Sequence, residues 1–276
     1  VAAYGEATTR AVAEVHQAEP PLDLSIKSDV AIWAQRLGAE VLPTGSLRLA
    51  TGGAVTDLEG YEEGVWWVQD AAATLPVRLL GDVAGSRVLD LCAAPGGKTA
   101  QLITAGAKVT SLDRAPARVR LIRKNLARLG LDAEIVEEEI SAFRAPHQFP
   151  FILLDAPCTA TGTIRRHPDI AHLKTREDVE RMVEIQNNLV RTAASMLMPG
   201  GVLVYAVCSL QQEECALVIE KFLAETSQIK RCPIRASELG SLGEVVTPSG
   251  DLRTLPCHLS HTGGMDGFYA CRLRHV

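Results

Sequence analysis

The chain is poor in aromatic residues, with five Phe, three Trp and four Tyr among 276 positions. A broad surface for stacking successive bases is therefore excluded. Positive charge is also not in excess: 28 Lys and Arg stand against 33 Asp and Glu, a net charge of −5. Any nucleic-acid partner must be held by a local basic patch rather than by the overall field. No apolar run approaches the roughly 18 residues of a membrane span, and Val1-Ala2-Ala3-Tyr4 does not open a signal peptide, so a cytoplasmic location without membrane contact is expected. Seven cysteines, an odd number with no export signal, are expected to be free thiols. The spacing of Cys232, Cys257, His258 and His261 matches no standard zinc site, so no metal is expected. A start at Val1 rather than Met suggests a fragment or processed product, with room for an upstream domain.

Against these absences stands one informative stretch, Val88-Leu89-Asp90-Leu91-Cys92-Ala93-Ala94-Pro95-Gly96-Gly97-Lys98-Thr99. A short apolar strand runs into a Pro-Gly-Gly bend and then into a helix, whose first amides point back at the bend. A phosphate-binding loop would need Gly where Cys92 stands, which counts against a nucleoside triphosphatase. The Gly-x-Gly-x-x-Gly dinucleotide fingerprint is absent too. Lys108 to Leu112 then reads as a second strand followed by Asp113, at about the separation where a ribose-hydroxyl acceptor sits in dinucleotide folds. A glycine turn followed by such an acid suits a nucleoside ligand without a triphosphate, and S-adenosylmethionine is the common one.

The expected organisation is a small α+β module over residues 1–62 followed by a catalytic domain over 63–276. The first contains an alternating strand at Leu22–Ile26, a helix Val30–Leu37 capped by Ser28 or Asp29, and strands near Glu40–Leu42 and Ser46–Leu49. It serves either to position RNA or to pack as a lid. Trp66 and Trp67 read as core residues. From Arg87 onward strands (Arg87–Leu91, Lys108–Leu112, Glu134–Glu138, Phe151–Leu154, Gly201–Val207) alternate with helices (Lys98–Thr104, Ala115–Leu129, Arg176–Leu197, Gln211–Ala224), and Gly267–Leu273 reads as a last strand. This is the pattern of an α/β, Rossmann-like doubly wound sheet, in which ligands bind beyond the carboxyl ends of the strands.

Two of those ends carry a cysteine: Cys158 in Asp155-Ala156-Pro157-Cys158, and Cys208 in Tyr205-Ala206-Val207-Cys208-Ser209. A capping box between Ser209 and Gln212 would set Cys208 beside the positive end of the next helix, favouring thiolate. The chemistry that needs both S-adenosylmethionine and a thiolate is methylation of a pyrimidine at carbon 5. The thiolate adds to carbon 6, carbon 5 then takes the methyl, and loss of its proton with expulsion of the thiol ends the cycle. One cysteine attacks and a second can assist elimination; in RNA the base must be unpaired or flipped.

The ordered motifs Leu91 to Thr99, Asp155 to Cys158, Arg165-Arg166-His167-Pro168-Asp169 and Tyr205 to Ser209 resemble those of the RNA cytosine-5 methyltransferases of the RsmB/Fmu/NSUN family, most of all its bacterial RsmB branch. The resemblance covers roughly residues 60–276. It implies a small RNA-recognition-like domain at 1–62, with the family's NusB-like helical domain outside this chain. It also implies Cys208 as nucleophile, Cys158 in product release, Cys92, Ala93, Ala94, Pro95, Gly96, Gly97 and Lys98 around the cofactor's methionine part, Asp113 on the ribose with Arg118 close by, and Asp155 between cofactor and cytosine with Lys98 near enough to pair with it. Glu139 stands where the family usually has an Asp that meets the adenine, and Val207 where it usually has Thr. Arg165, Arg166 and His167, with Lys174, are the expected RNA contacts, whereas Arg114, Arg118, Arg120, Arg123, Lys124 and Arg128 are expected mainly as a solvated helix face. The resemblance implies transfer to small-subunit ribosomal RNA by a monomer; a tRNA methyltransferase of the same family, or a catalytically idle RNA-binding assembly factor, is the alternative.

Overall fold

A computed structural model of the chain describes residues 1–50 and 53–276. Two sheets organise it. After helix α1 (Gly5–Val15) come β1 (Leu22–Ile26), α2 (Val30–Leu37), β2 (Glu40–Val41), β3 (Leu47–Leu49) and β4 (Trp66–Val68), which form an antiparallel sheet in the order β2-β3-β1-β4. Leu24, Leu47 and Leu49 on its strands close over Trp33 of α2 and Trp66 of β4, giving the module a core of its own. Because β4 pairs with β1, the small sheet extends beyond residue 62, the expected boundary. Asp29 does occupy the position before α2, but its side chain makes no capping bond there. Helix α1 has no counterpart in the sequence reading. It buries none of its residues.

The second sheet begins after α3 (Ala71–Arg78). In chain order come β5 (Arg87–Leu91), α4 (Gly97–Thr104), β6 (Lys108–Asp113), α5 (Pro116–Leu129), β7 (Glu134–Glu137), β8 (Phe149–Asp155), α6 (Ile170–Leu173), α7 (Arg176–Ser195), β9 (Leu197–Val207), α8 (Ala216–Glu225), β10 (Ile229–Arg231), β11 (Leu252–Arg253) and β12 (Tyr269–His275). The order is β10-β12-β9-β8-β5-β6-β7, with β11 also on β12. Strands β5 to β9 are parallel and β12 runs antiparallel to β9. This is the Rossmann-like doubly wound sheet expected from the alternation of strands and helices.

Strand alternation builds its two-sided core. Val88, Leu153 and Val204 face a cluster containing Leu75 and Leu102, while Leu89, Ile152, Leu154, Leu203 and Tyr205 face Val190, Ile219 and Phe222. Helix α5 starts with Pro116 and stops at Gly130 in the left-handed region, and it buries Val119, Ile122, Leu126 and Leu129 at helical spacing. Helix α7 is opened by a capping box between Thr175 and Asp178.

The two sheets are joined by specific bonds. Arg128, expected on a solvated face, instead donates to the carbonyls of Tyr61 (2.7 Å) and Trp66 (2.9 Å) and stacks over the Tyr61 ring. Lys27 Nζ donates to Leu129 O at 2.8 Å. The buried pair Asp23–Arg48 extends the joint, because Asp23 accepts from the Ala71 amide and Arg48 donates to Thr262 O.

Candidate active site

The parallel sheet changes winding direction at β5, which has β6 on one side and β8 on the other, so a crevice opens beyond its carboxyl end. The loop leaving β5 passes through Cys92 (φ +61°) and Gly96 (φ +101°) before α4 begins. At Gly96 that backbone angle favours glycine, and an added Cβ would already touch Ile122 Cγ2 at 3.4 Å.

Asp113, at the tip of β6, is buried. Its Oδ2 accepts from the Ala94 amide at 3.3 Å and lies 3.2 Å from Arg118 Nε, while Oδ1 accepts from the Ala115 amide at 3.2 Å. Arg118 also donates to Ala94 O at 3.0 Å, tying the glycine loop to the acid.

A cavity of about 460 Å³ runs across these strand tips. Cys92 and Ala94 line it, with Asp113, Arg118, Glu139, Asp155, Cys158 and Cys208. Ala93, Pro95, Gly96, Gly97 and Lys98 do not face it. Pro95 is exposed, its carbonyl held by Asn125, and Lys98 sits buried behind the wall with Nζ 2.8 Å from Asp155 Oδ2. Burial pushes the Lys98 pKa down, but the Asp155 carboxylate more than offsets this and the net shift is upward. Glu139 stands at the rim, exposed and paired with Arg114 at 3.2 Å.

An apolar part of the wall was not anticipated: Ile140, and Met182, Ile185 and Leu189 of α7. The spacing of the last three, three and then four residues apart, was a visible signal of one helix face. A separate cleft of about 520 Å³, lined by Arg144, His147 and Met196 among others, contains none of the residues considered so far.

The two cysteine loops meet at the far end of the cavity, with Cys158 Sγ 3.5 Å from Cys208 Sγ. Hydrogen bonding to Cys208 and burial push the Cys158 thiol pKa well up, so Cys158 holds its proton. Gly162 donates its amide to Cys208 O at 3.0 Å, and an added Cβ there would meet Gly267 O at 1.9 Å, so only glycine permits this approach.

The expected capping box between Ser209 and Gln212 does not form. Ser209 Oγ binds Glu214 instead, and the expected helix splits into a 3₁₀ turn, Gln212–Glu214, and α8. Cys208 therefore does not sit at the start of a continuous helix. The break falls at Cys215 (φ −109°, ψ −112°), a conformation incompatible with one helix.

Of the expected RNA contacts, His167 and Lys174 are exposed, while Arg166 lies at the surface with its guanidinium paired to Asp266. Arg165 is buried between two carboxylates, Asp70 and Asp266, and its Nη1 donates to Gly263 O. Its guanidinium is occupied inside the protein, a correction to its reading as a free surface cation.

A family profile described as 16S rRNA methyltransferase RsmB/F matches residues 77–274. The chain belongs to the RsmB/F family. Ribosomal RNA small subunit methyltransferase B of Pseudomonas syringae pv. tomato is 41% identical over 225 residues, 79% of this chain and 49% of that protein. Its counterpart in Vibrio cholerae is 38% identical over 229 residues, 81% of this chain and 49% of that protein. The chain thus spans about half the length of the curated relatives it matches. Among solved structures, a methyltransferase homolog from Pyrococcus horikoshii superposes with a TM-score of 0.77 at 26% identity, covering 96% of this chain and 90% of that one. NSun6 from the same organism, solved with SFG, gives 0.68 at 26% identity, covering 82% and 57%.

The RsmB/F family is S-adenosylmethionine-dependent, and the cavity suits that ligand. Its volume lies within the roughly 300–1,000 Å³ of small-molecule sites. It also offers one buried carboxylate, Asp113, with Oδ1 engaged by a single donor, beside the apolar side chains of Leu112 and Ile140. Those groups are fitted to a ribose hydroxyl and to a flat purine respectively.

Proposed function

We propose that the chain methylates carbon 5 of a cytosine in RNA, in small-subunit ribosomal RNA as its relatives' names indicate, through a covalent adduct between Cys208 and ring carbon 6. The observation that carries this reading is the pair of sulfurs 3.5 Å apart, both lining the cavity that Asp113 and Cys92 also line. S-adenosylmethionine, when bound, supplies an electrophilic methyl group; Asp113 and Arg118 would hold its ribose end, with Cys92 and Ala94 against it.

The residues then divide the work. Cys208 adds through sulfur to carbon 6, which moves the ring's electron pair onto carbon 5. Carbon 5 takes the methyl group and then loses its proton to a base, so the double bond re-forms as the carbon–sulfur bond breaks. Cys208 gives up its thiol proton to solvent as it attacks; on release Cys158, protonated beside it, passes its proton to the departing sulfur and is reprotonated by the one that carbon 5 has lost. Lys98 holds Asp155 oriented at the cavity wall. Lys174 presents a cation, and His167 and Arg166, the latter already paired with Asp266, present hydrogen-bond donors, for the phosphate backbone.

Labelled methyl transfer from S-adenosylmethionine to ribosomal RNA, with mapping of the modified base, tests the proposal. Cys208→Ser is expected to abolish transfer, and Cys158→Ala to accumulate a protein–RNA adduct. An adduct formed by Cys208→Ser but not by Cys158→Ala would exchange the two roles. Transfer to tRNA alone would replace the substrate, and absence of transfer to either RNA would leave an RNA-binding assembly factor.

A further inference from the structure

Glu214 is fully buried. Its Oε1 accepts from the Thr159 amide at 2.8 Å and from Gln186 Nε2 at 3.1 Å, and its Oε2 accepts from Thr159 Oγ1 and from Ser209 Oγ, each at 2.5 Å. Thr159 follows Cys158 in the chain, and Ser209 follows Cys208. One carboxylate therefore grips the residue next to each sulfur. Gln186 adds a third element, because the same Nε2 also donates to Pro157 O at 2.8 Å. The backbone at Glu214 is fixed as well, because Tyr205 Oη donates to the Glu214 main-chain carbonyl at 2.7 Å.

A buried carboxylate is costly to place, and its oxygens only accept. Both hydroxyls and the Thr159 amide must point at it, which fixes the orientation of both loops at once. We infer that Glu214 is a positioning residue that sets the distance between the Cys158 and Cys208 sulfurs. The inference rests on the two-thiol reaction proposed above.

Two measurements on the full chain test it: steady-state methyl transfer, and disulfide formation between Cys158 and Cys208 in the protein alone under hydrogen peroxide. In the second, the two thiols give up two hydrogens, one sulfur–sulfur bond forms and peroxide is reduced to two waters. Glu214→Ala is expected to lower kcat on the order of 10²-fold while leaving the KM for S-adenosylmethionine within about twofold, as misplacement of a reacting group by about 1 Å does. Disulfide formation should slow about tenfold or more, because it depends on the same sulfur approach. Glu214→Gln, with equal length and one carbonyl acceptor, should recover most of both rates.

A purely structural residue would lower the folded fraction but leave kcat per folded molecule and the disulfide rate unchanged, and that result overturns the inference. If Glu214→Ala does not fold, Thr159→Val and Ser209→Ala each remove one arm of the grip, and parent rates in both overturn it equally. Methyl transfer that survives Cys208→Ser would refute the two-thiol reaction. The disulfide rates would still report whether Glu214 spaces the sulfurs.

Discussion

Lys98, in the first turn of α4, places Nζ 2.8 Å from Asp155 Oδ2 at the tip of β8, with the Phe268 ring centroid 5.0 Å from the same nitrogen. The pair joins the helix after the glycine loop to the strand that leads into the Cys158 loop. Lys98→Met would leave Asp155 without its cation in a partly enclosed site. The expected loss is about 2–3 kcal/mol of stability, less than for a fully buried pair because Asp155 retains some solvent contact. Chemical denaturation checks the stability, and single-turnover transfer should fall with it.

Asp113 is expected to determine cofactor affinity. A hydrogen bond to a charged group contributes about 1.5–3 kcal/mol, so Asp113→Asn should raise the Kd for S-adenosylmethionine by roughly 10- to 100-fold in calorimetry. Arg118→Ala, which removes only the clamp on Asp113 and Ala94, should have a smaller effect.

Asp90 should give the fold a pH dependence. It is fully buried, and burial lifts its carboxyl to about 7 although Thr99 Oγ1 donates to it at 2.6 Å. In the unfolded chain the group titrates near an ordinary Asp value, about 3.9. The folded state thus binds the proton more tightly, and this contribution to stability is full below about pH 4 and lost as pH rises towards 7. Asp90→Asn should remove the loss: melting curves should match the parent near pH 4 and show the variant more stable at pH 8, by roughly 2–4 kcal/mol. Equal pH dependence in both proteins would mean that Asp90 ionises normally in the fold.

The neighbouring cations after Cys158 should separate into two kinds. Arg165→Met leaves Asp70 and Asp266 buried without their shared guanidinium and is expected to cost about 3–5 kcal/mol of stability. Lys174→Ala, at an exposed cation, should leave stability nearly unchanged, raise the KM for RNA and flatten its dependence on salt. Filter binding at two salt concentrations beside a denaturation curve distinguishes them.

The sequence by itself determined the elements and the chemical vocabulary. Apolar runs such as Val88–Leu91 and Phe151–Leu154, the Pro95-Gly96-Gly97 bend, and Asp113 one strand later specify a βα turn for a nucleoside ligand, because these are local signals. Two cysteines after apolar strands pointed to one end of the sheet, and both line the same cavity. What lay beyond local pattern was decided by tertiary packing. Arg165 and Arg166 are adjacent and chemically alike, yet Arg165 is buried between Asp70 and Asp266 whereas Arg166 lies at the surface and shares only Asp266, because those carboxylates arrive 95 and 101 residues away from Arg165. Glu214 looked like the start of an ordinary helix, but the residues it holds come from another loop and another helix, and their donors outcompete the capping box expected of Ser209. Periodicity reports which face of an element is buried. Which partner a buried polar group finds depends on elements distant in sequence, and only the folded chain brings them together.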